Sequence, residues 1–360
     1  MKFSAKITAV TTAAMLFAVA AQNADACSRV LYTNNGQATL NGRNMDWPDA
    51  FHGTDMWYLP RGMKRNSEAT GKTFSWKAKY ASISAVTYLI PGQGAVADGM
   101  NEKGLVANLL WLENSDYGTR NPKKRGLSIA LWTQYVLDNY ATVEEAAKAL
   151  ANPKYQIDTR TIVANGETLK ANLHLAIADK TGDTAIVEYA DGKPIVHHDR
   201  KYTVMTNDPI LDQQIANLNN YDGLGGKKPL PGTTDAADRF VRGSYYLSKL
   251  PKPANYRQAG ANLFSIMRNM AQPFSTVKDP KHPNSSATQW TSLADLDNGT
   301  YYFASATSPF IVWADFSGFN PKMKTPMKLD MSGDKDLGGD MTAKFVPAEP
   351  FKVLPLTNDK

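Results

Sequence analysis

Ala24-Asp25-Ala26-Cys27 joins an export-signal pattern to the single cysteine of a 360-residue chain. Before it stand basic residues near the N-terminus and an apolar run of about 13 residues, from position 9 to position 21. This order, ending in small residues at 24 and 26, is typical of a secretory signal peptide with its cleavage site. The run is shorter than the roughly 20 residues that span a bilayer. We therefore predict a signal peptide at 1–26 and one mature domain at 27–360, with Cys27 as its first residue.

Three roles are open to Cys27 at this junction: a catalytic nucleophile, the acylated residue of a lipoprotein, or a buried thiol without chemical function. Lipoprotein signals usually have an aliphatic residue three positions before the cysteine, whereas Ala24 and the acidic Asp25 precede Ala26 here. Exported proteins normally pair their cysteines, so an unpaired one indicates an intermolecular bond or a reactive thiol. We favour the nucleophile. The alternative from another class is a lipid-anchored binding protein acylated at Cys27.

The composition is that of an ordinary soluble globular protein, with 42% hydrophobic and 21% charged residues. The net charge of +6 comes from lysines scattered among acids, without the Lys/Arg block that is typical of a nucleic-acid surface. No second long apolar run follows the signal, and the five histidines and one cysteine lack the usual metal-ligand spacing. The sequence therefore predicts no nucleic-acid partner, no membrane anchor after signal removal and no metal site.

A β-hairpin is predicted directly after Cys27. A β-prone run at 28–32 is followed by the turn Asn34-Asn35-Gly36 and by a second run that ends in Arg43-Asn44-Met45-Asp46-Trp47. The hairpin would return Arg43 and Asp46 to the chain terminus, where an arginine favours a thiolate and a carboxylate can orient an amino group. A surface Arg–Asp pair explains the same two residues equally well.

The rest of the chain alternates between blocks of strands and pairs of helices. We predict strands at 55–59, 80–89 and 105–112 with a polar turn at 98–104, helices at 127–137 and 142–150, strands at 173–178, 185–189, 195–198 and 202–205, helices at 234–250 and 255–271, strands at 288–296, 300–305 and 311–316, and an irregular tail beyond 321. This order predicts an α+β protein in which two antiparallel sheets stack face to face with helix layers outside.

Further candidate residues have ordinary explanations beside the chemical ones. Asn207 follows a predicted strand and could donate a hydrogen bond to an oxyanion, although turn-forming asparagines are commoner. Trp111 ends a strand and fits a core position as well as a ligand contact. Arg239 and Arg242 lie on a predicted helix, where arginines are usually solvated.

Five motifs in order resemble the choloylglycine hydrolase family, which includes bile salt hydrolases and penicillin V acylases and belongs to the N-terminal nucleophile hydrolases. They are Cys27 at the cleavage site, Arg43-Asn44-Met45-Asp46-Trp47, Asp98-Gly99-Met100-Asn101-Glu102-Lys103-Gly104-Leu105, Thr206-Asn207-Asp208-Pro209 with Asn217-Leu218-Asn219-Asn220-Tyr221, and Leu230-Pro231-Gly232 leading to Arg239-Phe240-Val241-Arg242. Each motif alone is weak, whereas the ordered set is specific.

The resemblance implies a four-layer αββα sandwich and hydrolysis of a small N-acyl amide without metal or organic cofactor. It makes Cys27 the nucleophile and its own α-amino group the base. It implies that Arg43 lies beside the sulfur, that Asp46 holds the amino group, that Asn207 donates into the oxyanion hole and that Arg239 completes the site. Arg239 is chosen over Arg242 because it directly precedes Phe-Val. Family members are commonly homotetramers.

Trp111 stands where the family has Asn or Tyr, and the backbone N–H at that position serves the oxyanion hole. Together with Trp47 it looks like the Gram-negative subgroup, which resembles penicillin V acylases and includes enzymes that cleave N-acyl homoserine lactones. We therefore expect a periplasmic hydrolase of phenoxyacetyl or fatty acyl amides, with Trp47 and Trp111 as substrate-binding walls. Bile salt hydrolysis is the alternative, and a family member that has lost activity is also open.

Overall fold

The computed structural model describes residues 27–47, 53–159, 161–164, 167–274, 286–331 and 337–354. The predicted signal peptide at 1–26 lies outside the described residues. Among the residues that are described, no helix is both long and apolar enough to cross a membrane.

Strands dominate the chain. They are β1 Ser28–Tyr32, β2 Leu40–Trp47, β3 Thr54–Leu59, β4 Lys64–Asn66, β5 Ser75–Lys77, β6 Ser82–Ile90, β7 Gln93–Asn101, β8 Leu105–Trp111, β9 Gly126–Ser128, β10 Gln156–Asp158, β11 Thr161–Ala164, β12 Glu167–Lys170, β13 Leu173–Asp179, β14 Thr184–Ala190, β15 Lys193–His198, β16 Val204–Met205, β17 Ala287–Asp295, β18 Thr300–Ser305, β19 Val312–Asp315, β20 Met327–Leu329, β21 Gly339–Asp340, β22 Val346–Pro347 and β23 Lys352–Val353.

Helices lie between the blocks of strands. They are α1 Trp132–Asn139, α2 Val143–Ala151, α3 Leu211–Leu218, α4 Ala236–Lys249 and α5 Tyr256–Met270, with short 3₁₀ turns at Ile129–Leu131, Phe316–Gly318 and Thr342–Lys344. The helix predicted from 142 begins as expected, because Thr142 caps α2: its side chain accepts a hydrogen bond from the N–H of Glu145.

Two large sheets carry the fold. The smaller has the strand order β16-β1-β2-β17-β18-β19-β21, and the larger has the order β15-β14-β13-β8-β7-β6-β3-β20-β22, with β23 added to β7. The hairpin β1–β2 has Arg29 opposite Arg43, so the start of β1 lies beside the end of β2. Almost all of the pairings in these two sheets are antiparallel; β19–β21 and β23–β7 are parallel.

The sheets stack face to face, and helices cover both outer faces. Leu31 of the smaller sheet and Val106 of the larger one belong to the same buried cluster. Helices α4 and α5 pack on β1 and β2, while α1 and α2 pack on the larger sheet. Gly42 is needed at the α5 contact, since a Cβ atom there would lie 2.8 Å from Cγ of Met267. The predicted α+β, four-layer αββα sandwich is therefore confirmed.

Three local predictions were wrong. The segment predicted as a helix at 127–137 starts as strand β9, which pairs in parallel with β10, passes through the 3₁₀ turn and becomes α-helical only at Trp132. The turn predicted at 98–104 is shorter, because Asp98 and Asn101 continue β7 and find hydrogen-bond partners inside the protein. The tail beyond 321 is not wholly irregular, since its short strands join the edges of both sheets or pair with β7. Helix α3 was not predicted.

Candidate active site

Cys27 lies immediately before β1 and is only 4% exposed. Its Sγ atom is 3.8 Å from Sδ of Met45 and 3.7 Å from the carbonyl oxygen of Asp46, both at the end of the neighbouring strand β2. Burial raises the pKa of the Cys27 thiol above its usual value, and the positive charge of Arg43 is the strongest opposing influence. The thiol therefore needs nearby positive charge and a proton acceptor to react.

Arg43 aims one end of its guanidinium at this thiol. Its Nη2 atom is 3.6 Å from Sγ of Cys27 and donates a 3.0 Å hydrogen bond to the carbonyl oxygen of Leu109 on the opposite sheet. The guanidinium carbon lies 4.5 Å from the ring centre of Trp290, a cation–π distance. The hairpin prediction that Arg43 returns to Cys27 therefore agrees with the geometry.

A fully buried carboxylate, Asp98, balances the charge of Arg43. It accepts hydrogen bonds from the hydroxyl of Tyr301 at 2.7 Å, from Nδ2 of Asn108 at 2.9 Å and from Oγ of Ser292 at 3.0 Å. Burial raises the pKa of Asp98, and the Arg43 charge is the largest influence that lowers it. The bonds from Tyr301 and Ser292 cross from the smaller sheet to the larger one. Sequence reasoning missed this support, because its members lie far apart in the chain.

Asn207 follows β16 and bridges three groups of the site. Its Oδ1 atom accepts hydrogen bonds from the nitrogen of Cys27 at 2.5 Å and from Nη2 of Arg239 at 3.1 Å. Its Nδ2 atom donates to the carbonyl oxygen of Trp111 at 2.8 Å. Two donors on one side and an acceptor on the other fix the orientation of the amide. The side-chain nitrogen keeps a second hydrogen for another acceptor.

Arg239 of α4 fixes the backbone of the cysteine. Its Nη1 atom donates to the carbonyl oxygen of Cys27 at 2.7 Å and to Oγ of Ser28 at 2.5 Å, and the side chain is fully buried. Arg242, one turn further along, instead bonds to Asn269 and to loop carbonyls. Of the two helix arginines weighed from the sequence, Arg239 is thus the one that contacts Cys27.

Asp46 lies beneath these groups on the helix-facing side of β2. Its Oδ1 atom accepts from the hydroxyl of Thr288 at 2.5 Å, and its Oδ2 atom accepts from Gln272 at 3.3 Å and lies 4.0 Å from Nη1 of Arg239. Burial raises the pKa of Asp46 to about 6, against the opposing charge of Arg239. The hydrogen bond of the Cys27 nitrogen goes to Asn207, so the role expected for Asp46, holding the amino group, stays a prediction.

The backbone of Trp111 faces the same space. The next residue, Leu112, donates its N–H to the carbonyl oxygen of Asn172 on the β13 side. Backbone groups alternate in direction along a strand, so the N–H and C=O of Trp111 both point away from β13. The C=O accepts a hydrogen bond from Asn207, and the N–H of Trp111 therefore points toward the same side of β8.

Comparisons with known proteins agree with this geometry. A family model described as linear amide C–N hydrolases, choloylglycine hydrolase family, matches residues 27–320. The chain is 40% identical over 349 residues to a penicillin V acylase of Pectobacterium atrosepticum, which covers 91% of this chain and 92% of that protein. It is 29% identical over 287 residues to a bile salt hydrolase/transferase of Clostridium perfringens, over 73% of this chain and 84% of that protein.

A solved structure is also similar to this chain. The structure of penicillin V acylase from Agrobacterium tumefaciens superposes with a TM-score of 0.80 and 40% sequence identity, over 92% of this chain and 100% of that one. The chain belongs to the choloylglycine hydrolase family. It is a linear amide C–N hydrolase that resembles penicillin V acylases, and its relatives act on small acyl amides.

The hydrolase has an apolar cavity beside the thiol. Trp47 and Trp111 pack edge to face with ring centres 6.1 Å apart and line a cavity of about 80 Å³. Met45, whose sulfur contacts Cys27, lines it too, together with Leu354 near the C-terminus. The two tryptophans predicted from sequence thus lie together at the site. Leu354 was missed, since the tail carried no recognisable pattern.

One group of side chains among the described residues could hold a metal ion. Glu144, Asp183 and His198 each offer a ligand atom, and these atoms lie within 4.8 Å of one another. The three residues come from α2, a turn and β15, which is why no spacing pattern in the sequence marked them. None of them forms part of the arrangement around Cys27 described above.

Proposed function

We propose that the protein is an exported, periplasmic amidohydrolase that uses Cys27 as an N-terminal nucleophile and cleaves N-acyl amides as penicillin V acylases do. The observation that carries this proposal is the contact set of Cys27. Its nitrogen bonds to Asn207, its sulfur lies 3.6 Å from Arg43, and its carbonyl oxygen accepts from Arg239. The family match also begins at residue 27.

Removal of the signal peptide supplies the base. An α-amino group has an unperturbed pKa of about 7.7–8.0, so near neutral pH it can accept the thiol proton. The sulfur then attacks the amide carbonyl carbon, and the proton passes from the ammonium group to the departing nitrogen as the C–N bond breaks. Water hydrolyses the thioester, which releases the acid and restores the thiol.

Two donors are available for the negative oxygen of the tetrahedral intermediate. One is the remaining hydrogen of Asn207 Nδ2, and the other is the backbone N–H of Trp111, which opens to the same side. Losing one such donor typically costs about 2.7–4 kcal/mol of barrier. The Arg43 guanidinium, next to Sγ of Cys27, stabilises negative charge on the sulfur.

The apolar cavity favours phenoxyacetyl or fatty acyl groups over bile acids. Its tryptophan walls offer flat apolar surface, and a cavity of about 80 Å³ would have to enlarge more for a steroid than for a phenoxyacetyl group or an alkyl chain. The higher identity to a penicillin V acylase than to a bile salt hydrolase/transferase favours the same choice. Bile salt hydrolysis remains the second candidate, carried by family membership.

The burial of the thiol argues against a lipid anchor. An acyl-glyceryl group on Sγ would have to displace Met45 and Arg43, which contact the sulfur directly. The intact mass of the exported protein separates the two proposals. A free N-terminal Cys27 supports the hydrolase, and an added lipid mass supports the anchor.

A hydrolysis panel tests the activity itself. Penicillin V, a long-chain N-acyl homoserine lactone and a conjugated bile acid are offered to the processed protein and to its Cys27→Ala variant. We expect release of the acid from the first two and none from the variant. Preference for the bile acid would reverse the substrate order, and cleavage by Cys27→Ala would refute the nucleophile. Sedimentation of the same preparation tests the homotetramer that family resemblance leads us to propose.

A further inference from the structure

Leu354, close to the C-terminus, lines the apolar cavity described above. It is 5% exposed and forms a small buried cluster with Trp47, Trp111 and Ala130, separate from the main cores. The cavity that these residues share is also lined by Met45, which contacts the Cys27 sulfur. Leu354 therefore faces the space next to the proposed nucleophile.

A short added strand holds this leucine in position. Strand β23 pairs in parallel with the start of β7, with Lys352 opposite Gln93. The N–H of Leu354 donates a 2.9 Å hydrogen bond to the carbonyl oxygen of Gly94. One residue before the strand, Phe351 packs edge to face on Trp57 with ring centres 5.6 Å apart. The packing of Phe351 and the backbone hydrogen bonds together direct Leu354 into the cavity.

The cavity is too small for the acyl groups that its lining favours. An apolar cavity of about 150 Å³ accepts benzene, whereas this one measures about 80 Å³. At least one residue that lines the cavity must therefore move when a phenoxyacetyl group or a long acyl chain binds. Trp47 and Trp111 lie on strands within the two sheets, whereas Leu354 follows a two-residue strand. Leu354 is consequently held by fewer strand pairings than either tryptophan.

We infer that Leu354, which strand β23 holds in the cavity wall, limits the size of the acyl group that this hydrolase accepts. The inference rests on the proposed function for the identity of the ligand. It adds a specificity residue that lies outside the five sequence motifs. Shortening Leu354 lengthens the accepted chain, and enlarging it shortens the chain.

Two substitutions of opposite direction test the inference. The ratio of kcat/KM for dodecanoyl to butanoyl homoserine lactone is measured for wild type, Leu354→Ala and Leu354→Phe. We expect the ratio to rise about tenfold in the alanine variant and to fall about tenfold in the phenylalanine variant, the scale of effect of a changed apolar pocket. Leu329→Ala is the matched control, because Leu329 is also 5% exposed but belongs to another cluster.

A binding measurement separates this inference from the proposed function. Calorimetry of fatty acids from butanoate to dodecanoate, on the same variants with Cys27→Ala, reports the accepted length without any turnover. A shift in accepted length, together with no hydrolysis by the protein that keeps Cys27, would keep the inference and refute the proposed activity. Unchanged chain-length preference in both Leu354 variants, or the same shift in Leu329→Ala, would overturn it, as would failure of the wild-type cavity to bind any chain.

Discussion

The Nη1 atom of Arg239 donates a 2.7 Å hydrogen bond to the carbonyl oxygen of Cys27, across more than two hundred positions of sequence. The same guanidinium reaches Oδ1 of Asn207 through Nη2 at 3.1 Å. One planar group thus fixes both the backbone of the cysteine and the amide that bonds to its nitrogen. A lysine, with a single point charge, cannot make this forked contact.

Arg239→Lys should therefore lower activity even though the positive charge is kept. Hydrogen bonds to charged groups contribute about 1.5–3 kcal/mol each, so we expect kcat/KM for the preferred amide to fall about a hundredfold. Arg242→Lys is the matched control on the same helix, because Arg242 bonds to Asn269 and loop carbonyls instead. Equal losses in the two variants would show that helix stability, and not the contact to Cys27, sets the effect.

Blocking the amino group of Cys27 should abolish turnover while leaving the thiol in place. A chain that retains a methionine before Cys27 carries an amide nitrogen there, which cannot accept a proton. We expect its activity to drop by about three orders of magnitude or more, comparable to loss of a general base. Cys27→Ser should also be severely impaired, since a hydroxyl ionises far less readily than a thiol. Mass spectrometry verifies the terminus, and full activity of the methionine-retaining form would contradict the mechanism.

Local sequence was sufficient for part of this site. The hairpin after Cys27 brings Arg43 back to the sulfur, because a short turn fixes which residues of β1 and β2 are opposite each other. The start of α2 was also predictable locally, because Thr142, which begins the predicted helix, caps it through the N–H of Glu145. Features set by neighbours in sequence were thus accessible.

Long-range contacts were not accessible in this way. The choice of Arg239 over Arg242 came from family resemblance, since both arginines are about equally distant in sequence from Cys27. The buried Asp98 bonds to Tyr301 of the other sheet, whereas the sequence placed Asp98 in a polar turn. The added strand before Leu354 is two residues long, too short to have a pattern.

The pKa of Asp46 predicts how stability should change with pH. Burial raises the pKa of this carboxyl from 3.8 to about 6, so the folded state binds the proton more tightly than the unfolded state. Ionisation then costs stability: the cost is absent below pH 3.8, grows as pH rises, and is complete above pH 6. The shift corresponds to about 3 kcal/mol. Asp46→Asn, neutral throughout, should gain about that much stability relative to wild type between pH 4 and pH 7.

Urea unfolding at several pH values measures this difference. Asp199→Asn is the control of opposite sign, because hydrogen bonds from Lys201 lower the pKa of the exposed Asp199. That variant should lose a little stability relative to wild type as pH rises. The Asp46→Asn variant should at the same time lose activity, because stability and activity commonly trade off at functional sites. A difference that is flat with pH would mean that Asp46 titrates normally.

Trp111→Ala should affect substrate binding more than the chemical step. The indole lines the apolar cavity, whereas the contact to Asn207 uses the backbone carbonyl, which the substitution keeps. We expect KM for penicillin V to rise about tenfold with a smaller change in kcat. Trp57→Ala is the control, since Trp57 is also buried but lies in a different cluster. A fall in kcat alone would instead indicate that the oxyanion donor had moved.

Gly104 should be irreplaceable for folding, because its backbone and its surroundings both exclude a side chain. It adopts φ +78, which L residues rarely adopt, and a Cβ atom would lie 2.2 Å from the carbonyl oxygen of Leu296. We expect Gly104→Ala to lower the free energy of unfolding by about 3 kcal/mol or more. Gly260 in α5 is the matched control: apart from the backbone of its own helix, a Cβ atom there meets nothing within 4 Å. Gly260→Ala should therefore stabilise the protein by about 0.5–1 kcal/mol. Denaturant titration checks both, and a Gly104→Ala variant as stable as wild type would mean that this turn can open away from Leu296.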